Sequence, residues 1–201
     1  MKIICIGRNY GEHARELNNP VPEQPVLFFK PDTALLRSPA DFYLPDLPSS
    51  IHYELELIVR ICKEGKHLAE KFASKYYNQI SVGIDFTARE LQQELKTKGL
   101  PWERAKAFDG SAVVGNWIDL PENWRTLEFR LELNGKIVQK GRAAEMLFDV
   151  DFLVADASRV VTLKTGDVLF TGTPAGVGKV QAGDVLEGFL GDERLMVCTI
   201  H

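Results

Sequence analysis

The segment His52-Tyr53-Glu54-Leu55-Glu56-Leu57-Ile58-Val59 puts two carboxylates two residues apart in an otherwise apolar stretch. In an extended chain His52, Glu54 and Glu56 share one face and Tyr53, Leu55 and Leu57 the other. The two Cβ atoms would then stand roughly 6–7 Å apart, close enough for both carboxylates to reach one cation. On a solvated sheet they would be no more than a polar face. The run into Ile58 and Val59 favours burial, where paired acids need a cation or a shared proton. Asp85 ends a second apolar run, Ile80-Ser81-Val82-Gly83-Ile84, and is placed either as a third ligand or as turn chemistry. Two Glu and one Asp form an all-oxygen set suited to a hard cation, Mg²⁺ or Mn²⁺, with no Cys/His spacing for zinc and no organic cofactor implied.

Other groups could act around such an ion. His13 and Glu16 lie three apart on a short helical stretch from Glu12 to Leu17, so the carboxylate can orient the imidazole as a general base or form a plain surface pair. Lys106, between Ala105 and Ala107, is either a snorkelling lysine or a cation aimed at a developing oxyanion. The glycine loop from Thr171 to Lys179 fails as a phosphate loop, because five residues separate Gly172 from Gly178 where four are required and Val180 replaces the Ser/Thr. No dinucleotide fingerprint is present either. What remains is a tight turn whose backbone N–H groups, that of Gly172 included, and Thr173 hydroxyl could take a carboxylate.

The elements that must position these residues are mostly strands. Short apolar runs at 1–6, 26–30, 53–62 and 80–85 read as strands, and Pro39, Pro45 and Pro48 break 38–51 into a loop with extended pieces. Leu68, Phe72 and Tyr76 predict an amphipathic helix over 68–77. Thr87-Ala88-Arg89-Glu90 reads as a capping box opening a helix that ends at Gly99 and Pro101. Residues 127–133 alternate and turn at Asn134-Gly135 into 136–138, a half-exposed hairpin, and a further helix spans 149–160. The repeated Gly-Asp-Val-Leu at 166–169 and 183–186 is turn chemistry rather than an internal repeat. Many strands, few helices and little alternation predict a strand-rich α+β fold.

Composition narrows the function. At 201 residues and 45% hydrophobic, the chain is long enough for one large domain, 1–201, that buries roughly 70% of its extended surface without metal or disulfide staples. The balance of 24 basic and 28 acidic residues, with the basic ones scattered, argues against nucleic acid. Cys5, Cys62 and Cys198 form no pair motif and fit reduced core thiols in the cytoplasm. No run approaches the roughly 18 apolar residues of a membrane span.

Six segments in order, CIGRNYGEHARE (5–16), LFFKP (27–31), HYELEL (52–57), GIDFTARELQ (83–92), GLPWERAKAFD (99–109) and LFTGTPAGVG (169–178), resemble the fumarylacetoacetate hydrolase family, in particular its single-domain acylpyruvase-like branch. The resemblance implies a strand-rich mixed β-roll or β-sandwich with a few peripheral helices, commonly a homodimer. It implies a divalent metal on Glu54, Glu56 and Asp85, a His13–Glu16 water-activating dyad on a lid, Lys106 facing the reacting centre, and substrate held by Arg89, Gln92, Thr173 and Gly172. The expected reaction is hydrolysis of 3-acylpyruvates, a class of small 2-oxo acid. The alternatives are oxaloacetate decarboxylation or tautomerisation, isomerisation of the 2-hydroxyhepta-2,4-diene-1,7-dioate type, and non-catalytic oxoacid binding. Where relatives carry a polar Asn-Thr-Ser, this chain has Arg142-Ala143-Ala144, a departure that bears on the neighbouring loop.

Overall fold

The computed structural model describes residues 1–16 and 21–201; the expected helix end at Leu17 and its stop at 18–20 lie outside the described residues. The first helix is present as Gly11–Glu16. The α+β expectation holds, with strands arranged in three sheets among the described residues. The largest runs Val26–Lys30, Ile3–Gly7, Val168–Phe170, Leu55–Ile61, Tyr77–Asp85, Ala112–Val114, Leu35–Arg37, with Ile118–Asp119 also paired to Tyr77–Asp85. A five-stranded sheet runs Lys136–Arg142, Glu128–Leu133, Val185–Leu190, Glu193–Ile200, Ala40–Phe42. Gly178–Lys179, Ile51–Tyr53 and Thr87–Ala88 make a small third sheet. No helix among the described residues is long and apolar enough to cross a membrane.

The core explains why these runs are strands. Leu55, Leu57, Val59 and Ile61 point to one side of the central strand and meet Ile80, Val82 and Ile84 from its antiparallel neighbour, all at most 1% exposed. Ile58 points to the other face, into a second cluster with Ile3, Cys5 and Phe170. Burial on both faces is what a continuous apolar run predicts. The hairpin turns at Asn134 and Gly135 with φ of 51° and 77°, the doubly left-handed geometry that favours Asn-Gly. Asp167 and Asp184 each accept from the backbone N–H three residues earlier, at 2.8 and 2.9 Å, so the two Gly-Asp-Val-Leu segments share turn chemistry.

Three local expectations are corrected. The strand expected over 53–62 is two strands, Ile51–Tyr53 and Leu55–Ile61, broken at Glu54 where Leu55 N–H leaves the ladder for Gln139 Oε1 at 2.8 Å. The helix expected over 68–77 is a 3-10 segment, Glu70–Lys75, closed by Phe72 N–H to Ala69 O and Tyr76 N–H to Ala73 O, both 2.9 Å. Phe72 faces outward at 47% exposure beneath Lys71 and Lys75, and Ala73 takes the buried position. Third, Thr87 is not the cap of the helix Arg89–Thr97: it lies in a strand, and the cap position, Ala88, offers no side-chain bond. Ser49, distant in sequence, accepts from Glu90 N–H at 3.1 Å and Leu91 N–H at 3.3 Å instead. The Glu90 carboxylate answers Ser50 N–H and the hydroxyls of Ser49 and Ser50 at 2.7–2.8 Å, a reciprocal cap made between two segments.

Candidate active site

The register of the central sheet brings the acids together. Glu56 pairs with Gly83, and Asp85 N–H donates to Glu54 O at 2.9 Å, so the break after Tyr53 faces the end of the Tyr77–Asp85 strand. One carboxylate oxygen from each of Glu54, Glu56 and Asp85 lies within 4.8 Å of the others, and all three residues are buried. His52, expected on the same face, is not in this cluster: its Nε2 pairs with Ser50 Oγ at 3.1 Å. The strand break turns it away.

Two lysines surround the acids. Lys106, 2% exposed, donates to Glu54 Oε2 at 2.9 Å, Asp85 Oδ2 at 2.7 Å and Thr87 Oγ1 at 2.6 Å. It is therefore no snorkelling surface lysine. Lys30, which the sequence offered only as part of a motif, lies 2.7 Å from Asp85 Oδ1. Its protons are directed to Ser111 O and Oγ, both at 3.0 Å, to Phe86 O at 3.4 Å and to Lys106 O. Four oxygens compete for three protons, and Asp85 Oδ1 is left without a hydrogen bond despite the ion-pair distance.

Electrostatics separates the two glutamates. Burial alone would raise Glu54, but the cations of Lys106 and Arg89 hold its carboxyl well below the usual range. Glu56 goes the other way: burial, then the charges of Asp85 and Glu54, push it well above, against the Gly172 N–H that donates to its Oε2 at 2.6 Å. Lys106 is raised because Asp85 and Glu54 outweigh the burial that would lower it. A dication fits this set: the three oxygens converge, Asp85 Oδ1 has open lone pairs, and Glu56 carries a carboxyl that a cation would relieve of its proton.

The glycine loop clamps the other acids. Gly172 and Gly176 both have φ of 99°, and a Cβ at either would lie 2.6 Å from Asn9 Cβ or 2.4 Å from Val138 O, so only glycine fits. The N–H groups expected to take a ligand carboxylate serve the protein's own acids: Gly172 donates to Glu56, and Gly176 donates to Glu16 at 3.1 Å. Glu16 in turn pairs with His13 Nδ1 at 3.2 Å. Thr173 Oγ1 accepts from Gln139 Nε2 at 2.9 Å, and Gln139, missed by the sequence reading inside a hairpin, ties that loop to Leu55. Arg89 bonds Glu54, and donates to Gln92 Oε1 at 2.8 Å.

His13, Arg89, Gln92, Thr173 and Lys106 thus border one cleft with the three acids. The site residues named from sequence converge there except Glu16, which sits behind His13, and Gly172, which sits behind Glu56. Arg142 to Glu145 lie at the end of a strand and a 3-10 turn, not at this cleft. A buried base, a cationic donor and a carboxylate set for a dication suit proton transfer next to a carbonyl.

The family model of the fumarylacetoacetate (FAA) hydrolase C-terminal domain matches residues 2–197. The chain is 40% identical over 195 residues to a mitochondrial oxaloacetate tautomerase of Caenorhabditis elegans, covering 96% of this chain and 91% of that protein. It superposes on fumarylpyruvate hydrolase from Pseudomonas aeruginosa, solved with Mn²⁺ and pyruvate, with a TM-score of 0.91 at 32% identity, over 100% of this chain and 89% of that one. It superposes on 2-hydroxyhepta-2,4-diene-1,7-dioate isomerase from Mycobacterium marinum with a TM-score of 0.86 at 33% identity, over 99% and 73%. With the family model spanning nearly its whole length, this chain belongs to the fumarylacetoacetate hydrolase family.

Proposed function

We propose that this chain is a divalent-cation-dependent enzyme that interconverts the enol and keto forms of oxaloacetate, working as a single domain over 1–201. The observation that carries the reading is the shared cleft: His13, fixed at Nδ1 by Glu16, borders the same space as the three convergent carboxylates. The 40% identity to an oxaloacetate tautomerase supports that reaction over others of the family.

In this reading Glu54, Glu56 and Asp85 hold the cation, Mg²⁺ by the hardness of the oxygen set, with Mn²⁺ as the ion bound in the related hydrolase. The bound ion would polarise the 2-oxo group and stabilise negative charge on its oxygen. Arg89 and Gln92 hold the substrate's carboxylate end, with Thr173 and the Gly172 turn shaping the opposite wall. The Glu16 carboxylate accepts a hydrogen bond from His13 Nδ1–H, which leaves Nε2 as the basic nitrogen. His13 Nε2 removes the enol proton and returns a proton at C3, and Lys106, kept charged by Asp85 and Glu54, steadies the oxygen through its ammonium. Three thiols without disulfide partners fit a reducing cytoplasm, and in this reading the chain works as a homodimer, as its resemblance to the family implies.

The second reading is hydrolysis of 3-acylpyruvates to a carboxylic acid and pyruvate. The His13–Glu16 pair favours it, since the same Nε2 could activate water, and one structural neighbour is a fumarylpyruvate hydrolase. The deciding experiment follows the enol absorbance of oxaloacetate and, separately, proton NMR of acetylpyruvate, each with excess Mg²⁺ and with EDTA. Mg²⁺-dependent decay of the enol with intact acetylpyruvate supports the tautomerase. Acetate and pyruvate production would replace it with the hydrolase, and inactivity in both would defeat the two readings together.

A further inference from the structure

On the hairpin strand Lys136–Arg142 the side chains are placed against expectation. Gln139 pairs with Leu131 and Ile137 with Glu132, so Val138 is an extra residue and the strand bulges there. The bulge sets Ile137 outward at 50% exposure and Gln139 inward at 2%. An amide buried in place of an isoleucine is costly unless its polar groups are met. They are met: Oε1 accepts from Leu55 N–H at 2.8 Å, while Nε2 donates to Thr173 Oγ1 at 2.9 Å and to Pro174 O at 3.0 Å.

Two of these partners fix which way the amide faces. A peptide N–H only donates and a peptide carbonyl only accepts, so Leu55 demands the oxygen and Pro174 the nitrogen. A flipped amide would set oxygen against oxygen and donor against donor. Thr173, whose hydroxyl can play either part, is thereby made an acceptor toward Gln139, and its own proton is directed elsewhere. Among the described residues that proton reaches Pro174 O at 3.4 Å, a long contact to an oxygen that Nε2 already holds. Thr173 borders the cleft with the three acids, where an entering acceptor oxygen offers the stronger bond.

We infer that Gln139 is a positioning residue that fixes Thr173 as a hydrogen-bond donor into the cleft, so that this wall takes a carboxylate or carbonyl oxygen of the ligand. The inference rests on the 2-oxo acid reading above and assigns the polarity of one wall of that site. Through Oε1 the same side chain holds Leu55 at the strand break beside Glu54, so the acids and the glycine loop share one brace.

The test is calorimetric titration of pyruvate into the Mg²⁺-loaded protein. A hydroxyl bond to a charged oxygen contributes about tenfold to affinity, so Thr173→Val should weaken pyruvate by that order and Thr173→Ser should restore it. Gln139→Met should also weaken pyruvate. The double variant should be no weaker than Thr173→Val alone, because both changes act through one hydroxyl. Gln139→Glu keeps the acceptor for Leu55 N–H and tests the polarity directly. Its carboxyl still donates when protonated, at about pH 6, and takes the Thr173 proton when ionised, at about pH 9. Affinity relative to wild type at the same pH should therefore fall by about tenfold between the two. Should Gln139→Met not fold, that comparison decides alone. Multiplying losses in the double variant, unchanged binding in Thr173→Val, or a pH-independent ratio in Gln139→Glu would overturn the assignment and leave the 2-oxo acid reading standing. Failure of the wild type to bind pyruvate would overturn both.

Discussion

Lys30 and Lys106 each stand 2.7 Å from a different oxygen of Asp85, so one buried carboxylate is held between two buried ammonium groups. Breaking such a pair from one side leaves a charge uncompensated at a cost of about 3–5 kcal/mol. Lys30→Met and Lys106→Met should both lower the unfolding free energy in urea by that order. Their response to Mg²⁺ should differ. A dication can replace the charge of Lys106, whose hydrogen bonds among the described residues go to carboxylates and a hydroxyl, whereas Lys30 also ties together Phe86, Lys106 and Ser111. Excess Mg²⁺ should therefore recover stability in Lys106→Met and little in Lys30→Met. Equal recovery would show that Lys30 is a charge partner alone.

His13 is buried yet bonded only through Nδ1, to Glu16, among the contacts described. A positioned base contributes about 10²–10⁴-fold to rate, so His13→Ala should lower kcat within that range. Calorimetric Mg²⁺ affinity should be unchanged, because none of the three converging oxygens belongs to His13. Glu16→Gln keeps an acceptor for Gly176 N–H but loses the charge beside Nδ1, and should fall between wild type and His13→Ala. A His13→Ala protein with full turnover would remove His13 from the mechanism.

Glu56 sets the pH response of the cation-free protein. Its folded pKa is raised by burial and by Asp85 and Glu54, above the unfolded value of about 4.3. A raised acid contributes stability that is present below the unfolded pKa and is lost as pH rises through the folded one. In EDTA, melting temperature should therefore drop across that interval, and Glu56→Gln should flatten the drop. Mg²⁺ reverses the sign by taking the place of the proton, so its affinity should climb with pH and its binding release a proton. The same Glu56→Gln change should abolish the Mg²⁺-induced rise in melting temperature. A variant that retained it would move the cation elsewhere.

The acids were legible because their signal is local. A two-residue repeat and a strand end suffice to propose Glu54, Glu56 and Asp85, and three-residue spacing suffices for His13 and Glu16. Lys30 was not legible in the same terms: its partners lie 55 to 81 positions away, and a lone lysine closing an apolar strand looks like any surface terminus. Gln139 was hidden by a hairpin whose alternation predicts only which side is buried, not that a buried amide bridges to Leu55. The 68–77 segment shows the converse error. Its stripe of Leu68, Phe72 and Tyr76 has helical spacing, but Gly65 is pinned to Leu163 and Leu68 to Ser158, and the short span that remains tightens into a 3-10 turn with Ala73 inward.

The helix that carries Arg89 and Gln92 is capped by Ser49, not by the Thr87 to which sequence spacing assigned the cap. Glu90 is exposed, yet the hydroxyls of Ser50 and Ser49 and nearby backbone N–H groups bring its pKa down to about 2. A depressed acid contributes stability that is full above the unfolded value of about 4.3 and is lost as pH falls through the folded one. Ser49→Ala removes the oxygen that accepts from Glu90 and Leu91 N–H, and should cost about 1 kcal/mol at neutral pH. Glu90→Gln should cost about 0.5–1 kcal/mol, discounted for solvent screening, and its deficit relative to wild type should vanish between about pH 4 and pH 2. Thr87→Val, by contrast, leaves the helix N-terminus intact and removes a 2.6 Å acceptor from Lys106, so its loss should appear in turnover more than in helix stability. Urea titrations of the three variants at pH 7 and pH 3 separate the assignments: if Thr87→Val behaves like Ser49→Ala in both, the cap belongs to Thr87 after all.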